Sequence, residues 1–145
     1  MRKVNLKESV GYELKRVQHL LRNRMDSEVR ALGLTTPQYA ALSVLEMEED
    51  LSGAELARRC FVTPQTISQI LSGLESAGLI ERRAHPRHGR IVQASLTESG
   101  KDLLSRAHGR VTAVEEHMVS GLSTAERQSL LSALRRCANT LEDGV

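Results

Sequence analysis

The sequence predicts a mostly α-helical protein with one small β-hairpin, an α+β fold class. Two observations lead to this prediction. Apolar residues recur at three- and four-residue spacing through most of the chain, as they do along the buried face of a helix. Residues 79–96 instead begin one strand with Leu79 and Ile80 and give near-alternating apolar positions in a second strand over 91–96, with a turn marked by Pro86 and Gly89 between them. The 145 residues suit one domain with its own core.

Start and stop signals mark the boundaries of the first two and the last two predicted helices. A long first helix is predicted over Leu6–Leu32, about 40 Å in length, and Gly33 ends it. A second helix starts at Thr36-Pro37 and ends near the acidic segment EMEED, which is expected to be a solvated helix end and loop. Later helices are predicted from Thr97 through Met118 and from the capping box at Ser123 through Leu141.

Two short helices joined by a tight turn are predicted over Ser52–Ala77. A capping box at Ser52–Glu55 starts the first helix, and Thr63-Pro64 starts the second. One stripe of the second helix is apolar, whereas the rest presents uncharged side chains that can hydrogen-bond base edges in a major groove. These candidate DNA-reading residues are Thr63, Gln65, Thr66, Ser68, Gln69 and Ser72. A helical hairpin with a solvated polar face is the alternative.

The predicted hairpin carries a basic run. Residues 82–90 contain four Arg, two His and no acidic residue, and more positive charge lies at Arg58 and Arg59. A basic hairpin next to a reading helix can reach phosphates and the minor groove, although a charge run is often only a solvated surface. The candidate contacts on this hairpin are Arg83, Arg87, His88 and Arg90.

Composition excludes several classes of function. The net charge is only +2 and aromatic residues make up 2%, which argues against a polycation and against a stacking platform for single strands. No apolar run approaches a membrane span and the N-terminus lacks a signal core, so a soluble cytosolic protein is expected. No catalytic, phosphate-binding or metal-ligand motif is present, so neither enzymatic activity nor a cofactor or metal is expected.

The first and last helices have apolar stripes that must be buried against something. The rest of the chain is too small to cover both, which favours a two-fold homodimer with Leu14, Val17, Leu134 and Leu141 at its interface. The alternative is a monomeric six-helix fold in which these helices pack on each other.

Three segments in this order resemble the MarR (multiple antibiotic resistance regulator) family of bacterial winged-helix repressors: GLTTPQYAALSVL, LSGAELARRCFVTPQTISQILSGLESAGLIERR and LTESGKDLL. The resemblance implies a single domain over 1–145, with a winged helix-turn-helix lobe at 34–99 and dimerisation helices at 1–33 and 100–145. It also implies a homodimeric repressor on pseudo-palindromic promoter DNA. Residues Thr63–Ser72 match the start of the family's recognition helix, and Arg90 matches a wing Arg that enters the minor groove.

The resemblance further implies release from DNA by a small aromatic or anionic effector or by cysteine oxidation. Arg16, His19 and Tyr39 are candidate effector contacts, although each also fits a surface or interface role. Cys60 and Cys137 are candidate redox residues, with small buried hydrophobes as the alternative. No Cys precedes residue 33, so the peroxide-sensing subtype is not supported. A winged-helix protein-interaction module is the remaining rival, and the uncharged reading face disfavours it.

Overall fold

The structure, a computed structural model, describes residues 1–84, 87 and 91–144. The described part confirms the predicted α+β class. It contains helices and strands in this order: α1 (Val10–Arg30), α2 (Thr36–Met47), β1 (Asp50–Ser52), α3 (Gly53–Arg59), α4 (Pro64–Ser76), β2 (Ile80–Ala84), β3 (Ile91–Leu96), α5 (Glu98–Met118) and α6 (Thr124–Asp143).

The helix starts largely follow the hydroxyl signals. Thr63 Oγ1 accepts a hydrogen bond from the Thr66 amide, and Ser123 forms the full predicted capping box with Glu126. At Ser52 only half of the predicted box is present. Its hydroxyl accepts from the Glu55 amide, but the Glu55 carboxylate pairs with arginines of α3 instead of turning back to Ser52.

The first helix is shorter than predicted. A 3₁₀ turn occupies Leu6–Glu8, and Ser9 then caps α1 through a hydrogen bond from the Tyr12 amide. The apolar spacing continues across Ser9, and it therefore predicts one uninterrupted helix. The cap at Ser9 does not change that spacing. The helix of 21 residues is therefore about 31 Å long.

The sheet has a third strand that the sequence did not predict. β3 lies between β1 and β2 and pairs antiparallel with both, in the order β1-β3-β2. Leu51 pairs with Val92 and is buried, so the segment after the acidic run is an edge strand and not only a loop. Three residues are too few to show a strand period, which explains why the pattern was missed.

One core joins the winged lobe to the helices on either side of it. Buried residues of α2, α3, α4 and the sheet pack together with Val29 of α1 and with Leu104, Ala107 and Val111 of α5. In contrast, α6 has no buried residue. The monomeric alternative, in which the first and last helices cover each other, is therefore not what the single chain adopts.

The start of α5 lies very close to the end of α4. The Thr97 hydroxyl donates to the Gly78 carbonyl over 2.6 Å, and the Thr97 amide donates to the Leu79 carbonyl over 3.1 Å. Gly100 faces the same backbone, and a Cβ on it would overlap the Leu79 carbonyl oxygen. The contact fixes the start of α5 against the residues that join α4 to β2.

Candidate DNA interface and effector cavity

The second helix of the predicted pair, α4, separates a buried from an exposed face. Ile67, Leu71 and Leu74 are buried in the core. The exposed face carries four of the predicted reading residues at three- and four-residue spacing, namely Gln65, Ser68, Gln69 and Ser72. This face offers hydrogen-bonding groups of the kind that read base edges, without a carboxylate in the first turn.

The two predicted threonines also form the start of this helix. Thr63 Oγ1 accepts from the Thr66 amide over 3.1 Å and donates to Thr66 Oγ1 over 2.9 Å. The Thr63 hydroxyl thus both donates and accepts within the cap, whereas the Thr66 hydroxyl accepts one hydrogen bond there. They hold the first turn in which Gln65 is presented.

Arg82 ties the hairpin to the reading helix. Its guanidinium donates to Ser72 Oγ over 3.3 Å and to Glu75 Oε1 over 3.1 Å. The hydrogen bond from Arg82 lowers the pKa of Glu75, which keeps this carboxylate ionised and its charge compensated. The sequence predicts Arg82 only as part of the basic run, because its partners lie on a different element and produce no spacing signal.

The hairpin arginines are accessible where they are described. Arg83 is exposed, and its closest carboxylate, that of Glu81, lies 3.9 Å from Nη2. Arg87 is also exposed. His88 and Arg90 fall outside the described residues, so their predicted contacts stay predictions.

The positive charge predicted at Arg58 and Arg59 is compensated locally. Arg58 pairs with Glu55, and Arg59 pairs with both Glu55 and Glu48. Hydrogen bonds from Arg58 and Arg59 lower the pKa of Glu55. The guanidinium groups of α3 are therefore held by carboxylates of α3 and of the segment that follows α2.

An apolar cavity of about 770 Å³ lies between α1 and α5. Its walls combine aliphatic side chains with arginines: Val17, Leu20, Leu21, Arg24, Glu28, Leu32, Arg106, Gly109, Arg110, Ala113, Val114, His117 and Met118. Arg110 pairs with Glu28 over 3.1 Å. Arg24 and Arg106 have no carboxylate partner among the described residues. An apolar space with two uncompensated guanidinium groups suits an aromatic anion.

The three predicted effector residues do not meet at this cavity. Arg16 pairs with Glu13 over 3.2 Å, and His19 lies 3.3 Å from the Asn23 amide nitrogen, both on exposed parts of α1. Tyr39 lies on α2 and is not among the lining residues. The apolar stripe of the first helix pointed to Leu21, but Arg24, Arg106 and Arg110 are brought together only by the packing of α1 on α5.

Tyr39 instead takes part in a bridge between α2 and α5. Its hydroxyl lies 2.7 Å from His108 Nδ1, and His108 Nε2 lies 3.0 Å from Glu46 Oε1. The Tyr39 and His108 rings also meet edge to face, with centroids 5.4 Å apart. Burial raises the pKa of the Tyr39 hydroxyl, so this group stays protonated and remains a donor.

The cysteines differ in environment. Cys60 ends α3 in the core, and burial raises the pKa of its thiol, which disfavours the reactive thiolate. Cys137 is exposed on α6, so the alternative of a buried hydrophobe does not hold for it in the single chain. No cluster of metal-ligating side chains occurs in the described part of the chain. No helix in that part is long and apolar enough to cross a membrane.

A helix pair with an exposed amide-bearing face, followed by an arginine-bearing hairpin that is fastened to it, defines a winged helix-turn-helix DNA-binding protein. The sequence matches the MarR family over residues 32–91. It is also 35% identical over 127 residues to the HTH-type transcriptional repressor Rv2887 of Mycobacterium tuberculosis, covering 88% of this chain and 91% of that protein. The chain belongs to the MarR family of transcriptional regulators.

Solved structures agree with this assignment. The salicylic acid complex of the M. tuberculosis protein Rv2887 has a TM-score of 0.73 at 35% identity, covering 89% of this chain and 96% of that one. The DNA complex of Rv2887 has a TM-score of 0.74 at 32% identity, covering 89% and 97%. A MarR-family regulator from Silicibacter pomeroyi gives 0.84 at 26% identity, covering 99% and 98%.

Proposed function

We propose that this protein is a homodimeric, cytoplasmic repressor that binds pseudo-palindromic promoter DNA and is released by a small aromatic anion. The observation that carries the DNA-binding part is the exposed face of α4 beside the arginine-bearing hairpin. The similarity to Rv2887, which has been solved with DNA, supports it. Within this proposal 34–99 form the DNA-binding lobe, and 1–33 with 100–145 supply the dimer contacts.

The DNA contacts divide by chemistry. Gln65 and Gln69 have amide groups that match the donor and acceptor pair of adenine in the major groove. Ser68 and Ser72 lie on the same face, and Arg83 and Arg87 are placed to hold phosphates. His88 and Arg90 are proposed as wing contacts because they belong to the basic run of the hairpin, and the family resemblance supports Arg90.

Replacing Gln69 by Ala is expected to weaken binding to a preferred sequence by about 1–3 kcal/mol and to blunt sequence preference. The probe is a duplex that the wild-type protein selects from a random-sequence library, called the selected duplex below. Affinities for this duplex and for random DNA are measured by fluorescence anisotropy at two salt concentrations.

Arg83→Ala is the matched comparison for the Gln69 variant. It should weaken binding to both DNAs alike and flatten the dependence of log affinity on log salt by about one unit. An equal loss on both DNAs for Gln69→Ala would contradict its assignment as a base-reading residue. Failure of the wild-type protein to select any duplex would contradict the proposed function itself.

The dimer part of the proposal is based on apolar side chains that nothing in the single chain covers. Leu14 and Val17 of α1 and Leu134 and Leu141 of α6 are all exposed. Burying one such side chain stabilises by about 1.5–3 kcal/mol. Val17, Leu20 and Met118 also form the outer rim of the cavity, so a second copy packed there would close it.

The effector part combines the cavity with a relative. Rv2887 has been solved with salicylic acid, an aromatic carboxylate. In this chain the cavity has the size of a small-molecule site and presents Arg24 and Arg106 to a carboxylate. Oxidation of Cys60 is a weaker alternative, because burial raises the pKa of its thiol.

Salicylate is the probe for this cavity. We expect it to displace the protein from the selected duplex, and Arg24→Gln or Arg106→Gln to raise the salicylate concentration for half release by about fivefold, the effect of about 1 kcal/mol. Each variant is compared with its own affinity in the absence of salicylate. Arg16→Gln is the matched control, because Arg16 lies on the same helix but pairs with Glu13. A larger shift for Arg16→Gln than for the cavity variants would contradict this placement of the site.

A further inference from the structure

The turn between α3 and α4 closes with a standard pair of hydrogen bonds. The Val62 amide donates to the Ala57 carbonyl over 3.0 Å, and the Phe61 amide donates to the Arg58 carbonyl over 3.1 Å. These two bonds form a Schellman motif, which requires a left-handed backbone at its penultimate residue. That residue is Phe61, with φ at 57°.

Two other helices end in the same motif with a different residue. At the end of α1 the left-handed position is Gly33, with φ at 81°, and at the end of α4 it is Gly78, with φ at 74°. Glycine is the usual choice because a Cβ is strained in this conformation. Within the described part of the chain, Phe61 is the one residue other than glycine with a positive φ.

The fold gains nothing from the Phe61 ring. The side chain is 95% exposed, whereas the next residue, Val62, packs against the core. A bulky side chain in a left-handed conformation is therefore combined with an aromatic ring left in water. Strained residues of this kind concentrate at functional sites.

Phe61 lies beside the start of α4. It lies two residues before Thr63, the cap of the reading helix, and the exposed Gln65 follows in the first turn. Arg58 in the last turn of α3 is exposed and pairs with Glu55. The Phe61 ring is the exposed large apolar side chain of the turn. When the exposed face of α4 enters a major groove, this turn meets the edge of the same groove.

We propose that the Phe61 ring is a DNA contact, packing against apolar surface at the groove edge. The surface is either the 5-methyl group of a thymine or the C–H face of a deoxyribose. The inference depends on the proposed function, since it needs α4 to be the reading helix. It adds an apolar specificity element to an interface otherwise made of amides, hydroxyls and arginines.

The test separates the ring from the backbone strain. Phe61→Gly removes both, Phe61→Ala removes the ring and keeps the Cβ, and Phe61→Tyr keeps the ring. We expect Gly and Ala to lower affinity for the selected duplex by about tenfold, and Tyr to retain most of it. Phe61→Gly should also melt a few degrees higher than Phe61→Ala, because it relieves the strain.

The thymine and deoxyribose contacts are distinguished by replacing thymines of the selected duplex with deoxyuridine. If the ring packs on a methyl group, one such replacement weakens the wild type and leaves Phe61→Ala unaffected; if it packs on a sugar, none does. Met47→Ala serves as control, since Met47 is another exposed apolar side chain, on α2.

If a selected duplex is obtained and both Phe61→Gly and Phe61→Ala bind it with wild-type affinity, the inference is overturned. A loss of self-association in these variants at unchanged DNA affinity would overturn it too, because it would show that the ring contacts protein. Failure to obtain a selected duplex would instead overturn the proposed function.

Discussion

A protein with Glu in place of both Leu134 and Leu141 is expected to be monomeric and to bind the selected duplex on the order of 100-fold more weakly. Both leucines are exposed on α6, a helix that has no buried residue in the single chain. A carboxylate at either position would have to be buried without a partner in a dimer, which is strongly unfavourable. A monomer loses the linked binding of two half-sites, an effect of about 10²–10⁴ in affinity.

Ser132→Glu is the matched control for this change. It adds the same charge to the same helix, but position 132 lies on the side of α6 away from the leucines. Light scattering at micromolar concentration and anisotropy with the selected duplex give the two measurements. A double variant that stays dimeric would contradict the placement of α6 in the interface, and a monomeric Ser132→Glu would show that charge alone is responsible.

The second large effect concerns stability. Gly100→Ala is expected to reduce the free energy of unfolding by about 3 kcal/mol or more, because the added Cβ overlaps the Leu79 carbonyl oxygen, a backbone atom that cannot rotate away. Gly109→Ala on the same helix meets no atom within 4 Å and is expected to raise stability by up to about 1 kcal/mol. Chemical denaturation of both variants checks the pair. Equal stability of the two would mean that the start of α5 does not lie as close to Leu79 as described.

Most of the fold was predicted from signals that lie within a few residues of each other. Start signals at Thr63 and Ser123 are contained within four residues, so they are readable without knowledge of the rest of the chain. Where two local signals conflict, the helix boundary is not determined by the sequence. At Ser9 the cap interrupts an apolar stripe that continues on both sides. β1 gave no signal because it is only three residues long and is stabilised by pairing with a distant strand.

The candidate site divides in the same way. The exposed face of α4 follows from helical spacing alone, and the structure presents Gln65 and Gln69 as predicted. Arg82 and the cavity arginines owe their positions to contacts between elements, which a single sequence does not encode by spacing. The sequence does not show that Phe61 has a left-handed backbone, because that position is defined only once the end of α3 is known.

The bridge from Tyr39 to His108 joins α2 to the midpoint of α5, which divides α5 into two arms on either side of a pivot. His108 lies ten residues from each end of this helix, so each arm is about 15 Å long. The N-terminal arm includes Gly100, which contacts the Leu79 carbonyl, and the C-terminal arm lines the cavity through Val114 and Met118. A tilt of about 4° around this pivot would move the two ends by about 1 Å in opposite directions. Under the proposed function, filling the cavity is therefore expected to change the spacing at which the two α4 helices of a dimer meet successive grooves.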